Sequence, residues 1–175
     1  MVEHRLATVG DAYSLAEFYS LNKEHLGPWE PSRSSEYYTE DFWQKRLQDW
    51  EEEHLKGIAA HYLSIAPSPY RIGADCSLTN IVRGPFQACN IGYSVSQDLQ
   101  GTGTMSDLLR FVIDVAFNEL GLNRIMANYM PENSRSAALL ERHGFQQEGL
   151  AERYLFIDGR WEDHVLTSLV NPNNL

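Results

Sequence analysis

A short stretch, QGTGTM at residues 100–105, places two glycines and two threonines between a strand-like segment and a strongly helical one. Glycine lets the backbone approach a ligand closely, and the first N–H groups of a helix have no partner within it. The helix dipole adds to these donors in attracting an anion. The chemistry that this spacing favours is recognition of a phosphate group.

The stretch can be compared with several known glycine-rich motifs that bind phosphate, and it matches some of them better than others. A dinucleotide fingerprint would use Gly101 and Gly103, but its third glycine position holds Ser106 and the loop comes late in the chain. A P-loop requires a lysine that is absent here. The alternatives that remain are a looser pyrophosphate cradle and a glycine-rich turn with no ligand.

A second segment, MPENSRSAALLERHGF, follows one strand later and places Asn133 and Ser136 at the start of a helix. Asn133 alone is an ordinary helix N-cap. In combination with the glycine loop, the segment resembles the GNAT superfamily of N-acetyltransferases, which transfer the acetyl group of acetyl-CoA to an amine. Gln100 and Gly103 match that family's pyrophosphate motif, Gln/Arg-x-x-Gly-x-Gly/Ala, whereas Met105 departs from its last position.

The resemblance extends over essentially the whole chain and is strongest to the RimJ branch, the ribosomal-protein-alanine N-acetyltransferases. It is carried by HLGPWEP, NIVRGPFQACNIGYSV, RIMANYMPENSRS, LLERHGF and YLFIDGRWEDHVLT. It implies acetyl-CoA as co-substrate, no metal, and the N-terminal amine, expected to be alanine, of a ribosomal protein as acceptor. The cofactor residues that it implies are Tyr93, Ser94, Val95, Gln100, Gly101, Thr102, Gly103, Thr104, Met105, Asn133, Ser136 and Arg142.

Three residues are candidates for the chemistry itself. The attacking amine must lose a proton, and the departing thiolate benefits from gaining one. By resemblance, Ser136 donates to the sulfur; relatives that use a tyrosine in this helix have no counterpart here, since Ala138, Leu139 and Leu140 follow. Glu30, in the PWEP loop beside Trp29, is the candidate base, and Tyr129 is a candidate for contact with the acetyl group.

The overall composition and charge limit which binding partners and which cellular location can be expected. A formal net charge of −10 argues against direct nucleic-acid binding and suits a basic protein substrate. No apolar run reaches the roughly 18 residues that a membrane span needs, and the first residues do not resemble a signal peptide. Cys76 and Cys89 form no CxxC pair and no His/Cys cluster has zinc-ligand spacing, so we expect reduced thiols in a cytoplasmic protein.

The elements that must position these residues follow from periodicity. Helices are predicted at 11–26, 38–56, 103–120 and after Asn133, the last ending at Gly144. Strands are predicted around 59–67, 71–82, 88–96 and 123–130, with a closing hairpin turning at Asp158 and Gly159. This order predicts one α/β (α+β) domain, residues 1–175, with helices on both faces of a mixed sheet. The resemblance adds that the sheet is mostly antiparallel and splayed at the cofactor site.

Two other functions stay open at this point. The negative charge also suits a small cationic acceptor such as a polyamine or an aminoglycoside. A domain that binds acetyl-CoA without catalysis, and acts through protein contacts, would share the same cofactor residues.

Overall fold

A single seven-stranded sheet organises the protein, in the order β1-β2-β3-β4-β5-β7-β6. The computed structural model describes residues 2–67 and 69–174. The strands are β1 (Glu3–Leu6), β2 (Ala60–Pro67), β3 (Tyr70–Val82), β4 (Ala88–Val95), β5 (Arg124–Tyr129), β6 (Gln146–Ile157) and β7 (Arg160–Val170). Neighbours are antiparallel except β4 and β5, which run parallel. The predicted mixed, mostly antiparallel sheet is confirmed.

Helices cover both faces of this sheet. They are α1 (Ala12–Leu21), α2 (Lys23–Leu26), α3 (Glu40–Leu55), α4 (Thr104–Asp114) and α5 (Ser134–Arg142). One core packs α1 and α3 around Leu15 and Trp43 against the sheet, and the other packs α4 and α5 around Leu108 and Leu140. None of the described helices is long and apolar enough to cross a membrane.

Two helix predictions had wrong boundaries, and a third predicted helix changes its helix type along its length. The helix predicted at 11–26 is divided at Asn22, whose side chain is buried. Asn22 Nδ2 donates a hydrogen bond to Phe18 O (2.8 Å), and Asn22 Oδ1 accepts one from Gln97 N (2.8 Å). The helix predicted at 38–56 begins at Glu40, because Thr39 caps it and a 3-10 turn, Ser35–Tyr38, precedes it. The helix predicted at 103–120 changes to a π-helical turn at Val115–Glu119.

The sheet splays between β4 and β5. Their ladder joins only Ala88–Cys89–Asn90 to Arg124–Ile125–Met126. Beyond it, β5 continues to pair with β7, and β4 with β3 as far as Val95. Residues 91–95 therefore have one edge without a ladder partner among the described strands, which leaves backbone donors and acceptors for an extended ligand.

Candidate active site

The glycine loop has the backbone conformation that only glycine adopts readily. Gly101 and Gly103 have φ of +74° and +95°, in the left-handed region. A Cβ atom built on either glycine would meet no other atom within 4 Å, so the space next to the loop is open. The glycines are thus required by the chain's path, and they leave room for a ligand to approach the start of α4.

Backbone donors at this loop are concentrated in the first turn of α4. The first helical hydrogen bond there runs from Asp107 N to Gly103 O (2.9 Å), so the N–H groups that precede Asp107 lack a backbone partner one turn back, and Thr104 N makes only a long bond, 3.5 Å, to Thr102 Oγ1. By contrast, Gln100 N and Thr102 N already donate to carbonyl groups within the turn, each at 3.3 Å. The helix start, with the positive end of its dipole, is the part of the predicted segment most available to an anion.

The side chain of Gln100 connects three elements at the loop. Its Oε1 accepts from Arg135 of α5, and its Nε2 lies 3.0 Å from His25 Nε2 of α2. Nearby, Thr102 Oγ1 donates to Leu99 O at 2.7 Å, which leaves its lone pairs to face Thr104 Oγ1 at 2.9 Å. Gln100 therefore fixes the loop against both layers of helices, in addition to any contact with a ligand.

The start of α5 holds Ser136 in a defined place. Asn133 is the N-cap, and its Oδ1 accepts from Ser136 N at 3.1 Å. Ser136 Oγ lies 2.6 Å from Tyr93 Oη, which reaches it from β4. Arg142, at the other end of α5, is exposed. As expected, α5 itself carries no phenol; the phenol beside Ser136 comes instead from a strand 43 residues earlier, a pairing that was not predicted from the sequence.

Tyr93 is suited to keep its proton until a strong acceptor forms. Burial raises the pKa of Tyr93 well above the ordinary value, by more than the hydrogen bond with Ser136 lowers it. Tyr129, half-buried on β5, packs against the same core as Tyr93 and lies near enough to raise that pKa further. The two hydroxyls of Tyr93 and Ser136 form a short donor pair on one face of β4.

Glu30 lies on the other face of β4. Ser94 Oγ donates to Glu30 Oε1 at 3.2 Å, and Arg33 Nη2 lies 3.8 Å from Glu30 Oε2. Burial raises the pKa of the Glu30 carboxyl, while Arg33 and Ser94 lower it by smaller amounts. Adjacent strand residues point to opposite faces, so Tyr93 and Ser94 connect β4 to Ser136 on one side and to Glu30 on the other.

A partly open cavity of about 190 Å³ lies beside Glu30. Its charged lining consists of Lys23, Glu30, Arg33 and Asp158, and aromatic walls come from Tyr19, Tyr37 and Tyr38. Trp29, expected to stand at this pocket, does not line it and is 38% exposed. The cavity brings the predicted loop of Glu30 together with Asp158, at the tip of the β6–β7 hairpin.

A buried acid that sequence reasoning missed lies beneath Glu30. Asp75 of β3 is directly opposite Ser94 in the antiparallel register, and Tyr19 Oη donates to its Oδ2 at 2.9 Å. Burial, then the charge of Glu30, raises the pKa of Asp75 to about 7. The only sequence signal was an aspartate inside an otherwise apolar strand, RIGADCSLTNIV.

The chain matches the family described as "Acetyltransferase (GNAT) domain" over residues 4–146. It belongs to the GNAT acetyltransferase family. The GNAT fold accounts for the short β4–β5 ladder and for the glycine loop at the start of α4. GNAT acetyltransferases use acetyl-CoA, and the open edge of β4 and the donors of α4 fit an extended, phosphate-bearing ligand.

Individual GNAT relatives agree with this assignment. The [ribosomal protein uS5]-alanine N-acetyltransferase of Escherichia coli is 43% identical over 97% of this chain and 87% of its own length. The ribosomal-protein-S5-alanine acetyltransferase of Vibrio fischeri has a solved structure with a TM-score of 0.96, 39% identity, and coverage of 98% and 94% of the two chains. RimJ of Mycobacterium smegmatis, solved with CoA-disulfide, has a TM-score of 0.90 at 28% identity, over 97% and 81%.

Proposed function

We propose that this GNAT enzyme acetylates the N-terminal amine, with alanine first, of a basic ribosomal protein. The observation that carries the proposal is the match to the uS5-alanine enzyme, which spans 97% of the chain at 43% identity. A net charge of −10 complements a basic substrate and steers its approach.

The cofactor side of the proposed site uses the residues around the splay. Acetyl-CoA supplies the activated acetyl group when it is bound. The first-turn donors of α4, behind Gly101 and Gly103, hold its pyrophosphate, with Thr104 and Met105 nearest the helix start. The free edge of β4 at Tyr93 and Val95 holds the pantetheine arm by strand-like hydrogen bonds.

The remaining predicted cofactor residues support this cradle from two elements. Gln100 and Thr102 shape the loop through their side chains, and Asn133 fixes the start of α5. We propose that Arg142, exposed at the end of α5, contributes positive charge toward the phosphates.

The two proton transfers of the reaction, from the acceptor amine and to the departing thiolate, take place on opposite faces of β4. On the acceptor face, Glu30 attracts the incoming ammonium and takes one proton from it, so that the neutral amine can attack. On the other face, Ser136 with Tyr93 donates a proton to the departing thiolate. Tyr129, beside Tyr93, shapes the apolar surface against the acetyl group. Over the whole reaction the ammonium loses two protons, of which one goes to the thiol and one to solvent.

A small-molecule acceptor is the second candidate. The spermidine N(1)-acetyltransferase of Vibrio cholerae is 32% identical, but over only 39% of this chain. The cavity beside Glu30 is lined by two cations, Lys23 and Arg33, and two carboxylates, Glu30 and Asp158, so it lacks the excess of negative charge that a polyamine site would need. Both observations favour the protein N-terminus.

Free-thiol release from acetyl-CoA tests the proposal with three acceptors. These are a short peptide that begins with Ala and is rich in Lys and Arg, the same peptide blocked at its N-terminus, and spermine. We expect release with the free peptide alone. Release with spermine alone would replace the proposal by small-molecule transfer, and silence with all three while acetyl-CoA still binds would favour a binding module or a need for the folded ribosomal protein.

A further inference from the structure

A carboxylate with an ordinary pKa is a weak base for an α-amine. The reference pKa of a glutamate is near 4 and that of an N-terminal amine near 8, so proton transfer between them is unfavourable by about three to four orders of magnitude. The proposed base, Glu30, therefore needs a way to hold the proton more tightly. The structure offers one in the acid buried beneath it.

Asp75 and Glu30 are joined through Ser94. Residues directly opposite in an antiparallel pair place their side chains on the same face, so Ser94 and Asp75 share the face that Glu30 covers. Ser94 Oγ donates to Glu30 Oε1 at 3.2 Å, and burial and the charge of Glu30 raise the pKa of Asp75. Glu30, Ser94 and Asp75 thus form a line from the acceptor cavity into the sheet.

The two oxygens of Asp75 have different surroundings. Oδ2 accepts from Tyr19 Oη at 2.9 Å, whereas Oδ1 has no hydrogen-bond partner among the described residues. Asp75 is 7% exposed, so an ionised Oδ1 without a partner would be costly. Oδ1 is accordingly the atom on which a proton is best held.

We propose that Asp75 is a positioning residue, which rests on the proposed function of Glu30: through Ser94 it makes Glu30 part of a two-carboxylate unit that retains the proton taken from the acceptor amine. One N–H bond of the ammonium breaks and one O–H bond forms within the unit. Two carboxylates that share one buried face do not both ionise readily, so the unit takes up its last proton above the ordinary range of a carboxylate, toward neutral pH. The pKa of this unit is then close to the pH at which the enzyme works, which is the best condition for a general base.

The charged neighbours support one negative charge on the unit. Arg33 faces it from the loop after Glu30, and Arg46 of α3 lines, together with Asp75, a second cavity of about 240 Å³. The phenols of Tyr19 and Tyr37 face it from α1 and the 3-10 turn, and burial raises the pKa of both, so they remain neutral. Cys76, the next residue of β3, is buried and its pKa is also raised.

Two variants should move the pH profile in opposite directions. Burial raises the pKa of Asp75 to about 7, and the hydrogen bond from Tyr19 lowers it. With one fixed peptide acceptor, wild-type kcat/KM should show an enzyme inflection near pH 7. Asp75→Asn should shift that inflection down by more than about one pH unit and reduce kcat at pH 7.5 by roughly tenfold or more. Tyr19→Phe should shift it up.

Controls separate this inference from the proposed function and from folding. Asp114→Asn, an exposed substitution of the same kind on α4, should leave the profile unchanged. A structural role alone would lower kcat without moving the inflection, and that result, in either Asp75→Asn or Tyr19→Phe, overturns the inference. If Asp75→Asn does not fold, Tyr19→Phe decides. A folded wild type that acetylates no amine would overturn the proposed function instead, and the inference with it.

Discussion

Replacing Asp75 by Asn should change how the stability of the fold depends on pH. In the folded chain the pKa of Asp75 is raised to about 7 from an ordinary value of 3.8, chiefly by burial. Between those values the folded chain holds a proton that the unfolded chain has lost, so this residue makes stability fall as pH rises. The full effect is about 4 kcal/mol, at about 1.4 kcal/mol for each pH unit.

Asparagine does not titrate, and its side-chain oxygen can still accept the bond from Tyr19. The free energy of unfolding of Asp75→Asn minus that of wild type should therefore grow by about 2 kcal/mol between pH 5.5 and pH 8, since about 1.5 pH units of that range lie below pH 7. Urea unfolding at each pH gives this difference from the midpoint, provided that the slope m is unchanged. Asp114→Asn serves as the exposed control. Parallel stability curves for wild type and Asp75→Asn would refute the reasoning.

Three other substitutions test the site. Gly103→Glu should abolish acetyl-CoA binding in calorimetry, because it places bulk and charge before the α4 donors; Gly103→Asn, which tolerates positive φ better, should lose much less, and equal losses would point to the backbone alone. Ser136→Ala and Tyr93→Phe should each lower kcat, and the double variant about 100-fold or more, with acetyl-CoA affinity retained; a double variant within twofold of wild type would exclude the pair as proton donor. Glu30→Gln should impair use of the amine in steady-state kinetics without weakening acetyl-CoA binding, and normal kinetics would assign the base elsewhere.

The elements with strong local signals were predictable from the sequence. The apolar spacing through α4 and the glycines at its start predicted where the glycine loop meets the helix, and the Asp158–Gly159 turn predicted the last hairpin. Helix boundaries were less certain, because Asn22 ends α1 through a bond to Gln97, 75 residues away. Periodicity carries no information about such a contact.

The candidate site was predictable only in part for the same reason. Glu30 and Ser136 were recognisable from their motifs, but their partners come from β4, which contributes Ser94 to one and Tyr93 to the other. Asp75 gains its raised pKa from burial and from Glu30, neither of which shows in the residues next to it. Pairings between distant strands decide these contacts, and they depend on the register of the sheet.

The most direct test of the account is to locate the acetyl group on the product. A peptide that begins with Ala and contains several lysines is incubated with acetyl-CoA and the wild-type enzyme, and tandem mass spectrometry then identifies the modified nitrogen. We predict one acetyl group, on the α-amine of the first residue, and greatly reduced product with Glu30→Gln. Acetylation of the lysine side chains, with the α-amine left free, would contradict the account.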